Sequence, residues 1–385
     1  MSTPPANLSV SCLLPASWDE ASVQRAAGEC RERLGTAPDL VIALATSDYR
    51  PHLAGLIEAL RLDGRAGRII GASGSGLFGV GREIENASGL SLLFLSMPDT
   101  TVEILDGRCE LKKSRLLDEA PAGFVVLADP LLSGLQGPLR EFNALFPGVP
   151  VIGGMVSGGP SEQDLFLFSG DGNLEEPFVA AGFGGNVRME PLVAQSCRPI
   201  GEPLVVTGTR ANVVHSIAGR SPYAVLEETF TSLEEAFRHS AEGNIFAGLA
   251  VREEVDDFST GDFVIRNIVG TDLSDGKLVL TSPPRVGQTL QFQLRDAAVA
   301  EHSLRGELRR LSGAGEDAPF AGLFCGGIGR GASLYGDSGR DVAILEEILG
   351  PVPLAGWFGN GEFGPVGGVN YRHDQALCGA LFYRV

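Results

Sequence analysis

Residues 122–159 read AGFVVLADPLLSGLQGPLREFNALFPGVPVIGGMVSGG. The apolar run at 122–131 has no polar alternation, which suits a strand buried on both faces. GPLREFNALFPG (137–148) follows with helical spacing, and VPVIGGMVSGG (149–159) is a second apolar run ending in glycines. A strand–helix–strand unit of this length makes a right-handed crossover between parallel strands.

The unit occurs three times. PDLVIALATS (38–47), YRPHLAGLIEALRL and GRIIGASGSG (67–76) form one copy; Leu53, Leu56, Ile57 and Leu60 share a helical face. APFAGLFCGG (318–327), GRDVAILEEILG (339–350) and VPLAGWFGNGE (352–362) form another. Gly71, Gly153 and Gly356 occupy equivalent places, as do Ser75–Gly76, Ser157–Gly158 and Asn360–Gly361. Glycine there supplies positive φ or admits a neighbouring backbone. Ligands of open α/β sheets sit beyond the carboxyl ends of strands, so repeated strand-end turns point to a shared pocket. Close packing of the sheets is the alternative reading of the same glycines, since duplication copies packing solutions as readily as sites.

Between the copies the chain changes character. Residues 190–219 hold short β runs punctuated by Gly and Pro. Residues 221–243 predict a helix with Ser221 as N-cap and Pro222 in its first turn; Leu226, Phe230, Leu233 and Phe237 line one face. Two strands in 263–282 meet at Asp275–Gly276, and a strand in 287–311 runs into a helix capped near Asp296. The expected fold is mixed α/β (α+β), with layered sheets flanked by helices. Two domains are expected, 1–190 with two copies of the unit and 191–385 with the third.

The formal charge of −18, from 30 basic and 48 acidic residues, argues against nucleic acid or an anionic membrane as the main partner. No apolar run approaches the roughly 18 residues of a membrane span. The N-terminus lacks a basic n-region, so no signal peptide is expected and a reducing cytoplasm is the expected location. The six cysteines, Cys12, Cys30, Cys109, Cys197, Cys325 and Cys378, form no CxxC pair and match no zinc spacing. No two of the five histidines have ligand spacing, so neither metal nor cofactor is expected.

RNIVGTD (266–272), GQTLQFQLRDA (287–297), FCGGIGRG (324–331), PVPLAGWFGNGEFGPVGG (351–368) and YRHDQALCGALF (371–382) resemble the FIST C-terminal domain. PDLVIALATS, IIGASGSGLFG and VPVIGGMVSGG resemble its N-terminal partner, FIST standing for F-box and intracellular signal transduction. The resemblance runs from about residue 35 to 382. It implies a sensory module that binds a small ligand, amino acids being the proposed class, and acts in intracellular signal transduction through a separate partner protein.

The residues offer several site chemistries. GSGLFG (74–79) satisfies G-x-G-x-x-G, but the polar stretch after it lacks the helix that would meet a pyrophosphate. Cys325, where a buried strand enters the glycine loop, is a candidate thiol nucleophile with His373 or Arg330 to lower its pKa and Glu362 to orient the histidine. A pocket for a zwitterion or small anion fits better. Glycine-turn N–H groups, with Gly329 among the glycines, and the Arg330 or Arg295 fork would meet a carboxylate. Glu362 and Asn360 would meet an ammonium, and Trp357 and Phe358 would supply an apolar wall. Cys325, His373, Ser73, Ser75 and Ser157 complete the expected ligand-binding set. A protein-binding scaffold is the third reading; oligomeric state is left open.

Overall fold

The computed structural model describes residues 6–108, 111–134, 137–159, 161, 164–254, 258, 261–272, 274–312 and 318–385. Cys109 lies outside them. The chain opens with β1 (Leu8–Leu14) and α1 (Glu20–Leu34), whose Asp19 cap accepts from Ser22 N–H at 2.9 Å. The first repeat is β2 (Leu40–Ala45), α2 (Leu53–Leu62) and β3 (Ile69–Ser73). Then come β4 (Gly76–Gly79), β5 (Arg82–Glu85), β6 (Leu90–Ser96) and β7 (Thr100–Asp106). The second repeat is β8 (Gly123–Ala128), α3 (Leu139–Leu145) and β9 (Val151–Met155). It leads to β10 (Leu167–Ser169), β11 (Gly172–Leu174), β12 (Phe178–Gly185) and β13 (Arg188–Gln195).

The middle segment holds β14 (Cys197–Arg210), β15 (Val213–Ile217), α4 (Pro222–Ser232), α5 (Glu235–Ala241), β16 (Ile245–Ala250) and β17 (Phe263–Arg266). It continues with β18 (Ile268–Asp272), β19 (Lys277–Leu280), β20 (Thr289–Arg295) and α6 (Ala297–Ser312). The third repeat is β21 (Ala321–Gly327), α7 (Ala332–Tyr335), α8 (Arg340–Leu349) and β22 (Leu354–Gly359), followed by β23 (Glu362–Val366), β24 (Val369–His373) and β25 (Ala376–Tyr383).

Each repeat forms one parallel pair, β2 with β3, β8 with β9 and β21 with β22. Each pair sits in a different six-stranded sheet, the orders being β1-β6-β2-β3-β10-β11, β24-β23-β9-β8-β12-β7 and β13-β25-β21-β22-β4-β5. The first strand of every pair is buried along its whole length, as its unbroken apolar run requires. Alternate side chains point to opposite faces of a strand, and the clusters follow that rule. Leu40, Ile42 and Leu44 of β2, Val125 and Leu127 of β8, and Leu323 and Cys325 of β21 share one central core. Their alternates, such as Val41, Phe124 and Phe324, enter three separate outer clusters beneath the helices.

The equivalent glycines have one packing role. Each faces its partner in the preceding strand of the pair: Ala43 with Gly71, Val126 with Gly153 and Phe324 with Gly356. A Cβ at Gly71, Gly153 or Gly356 would stand 2.3, 2.1 or 2.3 Å from the carbonyl oxygen of that partner, too close for any side chain. Gly153 also has φ of +125°, which only glycine adopts freely.

The chain forms two compact units that are not collinear with the expected halves 1–190 and 191–385. One contains Met1–Ala194, Leu304–Arg372 and Leu377–Val385, the other Gln195–Ser303 and His373–Ala376. Long-range pairing explains the interleaving. Strand β22 pairs with β4, Ala355 opposite Gly79, and β23 pairs with β9, Glu362 opposite Gly154. The strands that follow the first repeat are therefore hydrogen-bonded into the sheet of the third, and those that follow the third into the sheet of the second.

The second unit is built on the antiparallel sheet β17-β16-β20-β14-β15-β19-β18. Ser221 caps α4 by accepting from Ala224 N–H, and the β18–β19 hairpin turns at Asp275–Gly276, with Asp272 opposite Lys277. Asp296 accepts from Ala298 and Val299 N–H at the start of α6. The helix expected across 221–243 is two helices, because Leu233 and Glu234 take extended backbone between α4 and α5. No described helix is long and apolar enough to cross a membrane.

Candidate functional site

The turns after β3, β9 and β22 lie in the first compact unit and are tied to one another. Ser75 N–H donates to the Ser157 hydroxyl at 2.8 Å, and that hydroxyl donates to the Phe358 carbonyl. Ser157 N–H donates to the Ser73 carbonyl at 3.3 Å, and Asn360 N–H to the Met155 carbonyl at 3.2 Å. Ser157 thus holds both other turns through one side chain. Sequence repetition places a serine or asparagine at each strand end; the shared core brings the three ends together.

A cavity of about 500 Å³ opens at this junction. Its polar lining includes Ser75, Ser157, Ser161, Asn86, Asn360 and Glu85, and Leu131, Leu165, Ile328 and Phe358 give it apolar walls. Glu85 is the one charged residue among the described lining residues. Its carboxylate accepts from Ala332 N–H, at 3.0 and 3.2 Å to its two oxygens, and so ties β5 to the glycine loop after β21.

The other expected site residues lie elsewhere. Ser73 is buried and its Oγ accepts from Phe166 N–H at 3.1 Å, which fixes the turn from behind. Gly329 belongs to the turn between β21 and α7, where Ile328 N–H donates to the Gly359 carbonyl at 3.1 Å and Arg330 N–H to the Gly327 carbonyl at 2.8 Å. The Arg330 side chain has no exposed surface. It forms a fork with Asp341, Nε to Oδ2 at 2.8 Å and Nη2 to Oδ1 at 2.6 Å, and donates to the Tyr335 hydroxyl at 2.8 Å. Burial pulls its pKa down, but the charge and hydrogen bonds of Asp341 outweigh burial and leave it raised. The expected ligand fork is therefore an internal ion pair, its guanidinium committed to Asp341 and Tyr335 and, through Nη1, to the Ala194 carbonyl at 3.4 Å. Glu362 is fully buried at the start of β23 and is not among the lining residues.

Cys325 is also fully buried, opposite Trp357 on one neighbouring strand and Cys378 on the other. Burial, then the negative charge of Glu362 and then the Cys378 thiol, push its pKa well above the ordinary thiol value. That environment opposes thiolate formation, the opposite of what a nucleophile needs. His373 is buried in the second compact unit, whereas Cys325 belongs to the first. Arg295 likewise belongs to the second unit, and burial lowers its pKa.

Glu85, Asn86 and Ser161 are absent from the sequence-derived set. GLFGVGREIE is a hairpin, β4 against β5 with Gly76 opposite Glu85, rather than the helix a dinucleotide fingerprint needs. The turn glycine Gly81 and the alternation Glu83–Ile84–Glu85 carry the signal for that hairpin. Nothing local to it shows that its end meets turns more than 70 residues away.

The FIST N domain model matches residues 39–220 and the FIST C domain model residues 222–365. An uncharacterized protein of Mycobacterium tuberculosis strain H37Rv is 31% identical over 370 residues, which covers 94% of this chain and 96% of that protein. An uncharacterized protein of Mycobacterium bovis is 31% identical over 369 residues, covering 94% and 95%.

Proposed function

Because the chain belongs to the FIST family, which is associated with sensing in signal transduction, we propose that it is a sensory protein whose cavity at the strand-end turns holds a small polar ligand. One observation carries this reading: three turns far apart in sequence are hydrogen-bonded around a single hollow of about 500 Å³. That volume lies in the range of roughly 300–1,000 Å³ typical of small-molecule sites. The lining sets the ligand class. Glu85 suits an ammonium, while the carboxamides of Asn86 and Asn360 and the serine hydroxyls suit a carboxylate or hydroxyl. Phe358, Leu131 and Leu165 suit a short apolar side chain. An amino acid or similar zwitterion fits; an anion without a cationic group meets Glu85 unfavourably. The protein acts in the cytoplasm, and a separate signalling protein receives the signal.

A thermal-shift screen with amino acids, amines and small organic acids tests this. A ligand at 100 times its Kd stabilises the folded state by about 2.7 kcal/mol. Glu85→Gln keeps an acceptor for Ala332 N–H but removes the charge, so it is expected to abolish the shift for ammonium-bearing compounds while the unliganded midpoint changes little. If organic acids alone raise the midpoint, or no compound of the panel does, the reading fails.

A further inference from the structure

The two polar ends of the cavity stand apart. Gly76 faces Glu85 across the β4–β5 hairpin, and Ser75 N–H donates to the Ser157 hydroxyl at 2.8 Å. The Ser75–Gly76 step therefore separates Glu85 from the main chain that follows Ser157. That main chain supplies donors. Gly158 and Gly159 line the cavity, and neither N–H donates to any described residue. A Cβ on Gly158 would stand 2.6 Å from the Asp164 carbonyl oxygen, and one on Gly159 would stand 2.3 Å from Asp164 Oδ2. Only glycine lets the loop close on Asp164, so this stretch offers main chain and no side chain to the cavity. The Asp164 carboxylate is itself taken up by Ser161 N–H at 2.9 Å.

We propose, on the reading of this cavity as a ligand site, that its occupant is a dipeptide of apolar residues rather than a single amino acid. The α-ammonium lies at Glu85 and the terminal carboxylate at the Gly158 and Gly159 N–H groups. An ionised carboxylate has about four acceptor positions, so Glu85 can receive the ammonium beside Ala332 N–H.

Separation, volume and the apolar lining favour the longer zwitterion. A free amino acid carries both charged groups on one carbon, whereas an extended dipeptide parts its ends by roughly 7 Å. The gap in the cavity is of that order, because paired residues of neighbouring strands lie about 5 Å apart and successive Cα atoms about 3.8 Å. At the roughly 30 Å³ that a water molecule occupies in the liquid, a cavity of about 500 Å³ has room for about 17 non-hydrogen atoms. Leucine fills about half of that room and leucyl-leucine all of it. The apolar lining also has two depths. Phe358 is 3% exposed and Ile328 is 55% exposed, giving an inner wall for one side chain and an outer wall for the next.

Isothermal titration of the full chain with alanine, valine, leucine and phenylalanine, and with the dipeptide of each, tests this. At least one dipeptide is expected to bind about tenfold or more tighter than its amino acid, through the contacts of its added atoms. The N-acetylated form and the C-terminal amide of that dipeptide are each expected to bind about tenfold or more weaker, since each loses a charge-assisted hydrogen bond. Ile328→Ser changes an exposed position; it is expected to weaken the dipeptide and to leave the amino acid unchanged. A free amino acid that binds as tightly as its dipeptide, or a blocked dipeptide that binds as tightly as the free one, overturns the proposal and leaves the cavity a ligand site. If none of these compounds binds, the proposal falls, and the thermal-shift panel decides whether the ligand-site reading falls with it.

Discussion

Asp341→Ala is expected to destabilise the first compact unit by about 3–5 kcal/mol, the usual cost of stranding one partner of a buried ion pair. Both side chains of the Arg330–Asp341 pair are fully buried, and the guanidinium makes two hydrogen bonds to the carboxylate. The Tyr335 hydroxyl donates to the same carboxylate at 2.8 Å, so alanine also strands a phenol. Removing both charges has a different cost. Arg330→Met combined with Asp341→Leu is expected to recover most of the loss, since apolar replacement of a whole buried pair is often neutral. Urea unfolding, followed by a probe in the first unit, measures both. A loss below about 1 kcal/mol for Asp341→Ala would mean that water screens the pair as it does at surfaces.

This pair also explains the glycine loop at 326–331. Arg330 looks like a ligand fork in the sequence because glycines surround it. The structure turns it inward: Gly331, at φ of +62°, lets the chain reverse into α7, and Asp341 of α8 receives the guanidinium. The partner stands eleven residues downstream in a different element, and no motif encodes that contact.

Much of the local structure is legible. The three parallel pairs, the Ser221 cap and the Asp275–Gly276 hairpin all follow from periodicity and turn chemistry acting over fewer than about 40 residues. The assembly of the repeats is not. Identical strand–helix–strand patterns are compatible with one continuous sheet or with three. Only pairings such as Ala355 with Gly79, 276 residues apart, select three. The cavity follows the same division. Ser75, Ser157 and Asn360 are visible as repeated strand-end residues, whereas Glu85 enters through the β4–β5 hairpin, whose place is set by β22. The repeated glycines serve a separate purpose, since each admits a carbonyl oxygen of its own sheet.

The stability of the first unit is expected to fall by roughly 2.5 kcal/mol between pH 5 and 8 through one side chain, Glu83. Glu83 lies two residues before Glu85 on β5, is nearly buried, and accepts from Gly339 and Val342 N–H at 2.9 and 3.2 Å. Burial, then the neighbouring charge of Asp341, raise its pKa from 4.5 to about 7, and the two N–H groups oppose the rise only in part. Between those values the folded chain holds a proton that the unfolded chain has released. Stability from this group is therefore fully present below about pH 4.5 and is lost as pH rises through 7. A shift of this size corresponds to about 3 kcal/mol at 1.36 kcal/mol per unit. Other groups titrate in the same window, so the informative quantity is the difference between wild type and Glu83→Gln, which stays uncharged throughout. That difference is expected to move in favour of the variant by roughly 2.5 kcal/mol from pH 5 to pH 8, the rest of the shift having been lost below pH 5. A constant difference would show that Glu83 stays ionised across the range, with Arg330 and the α8 amides neutralising it and Asp341 together.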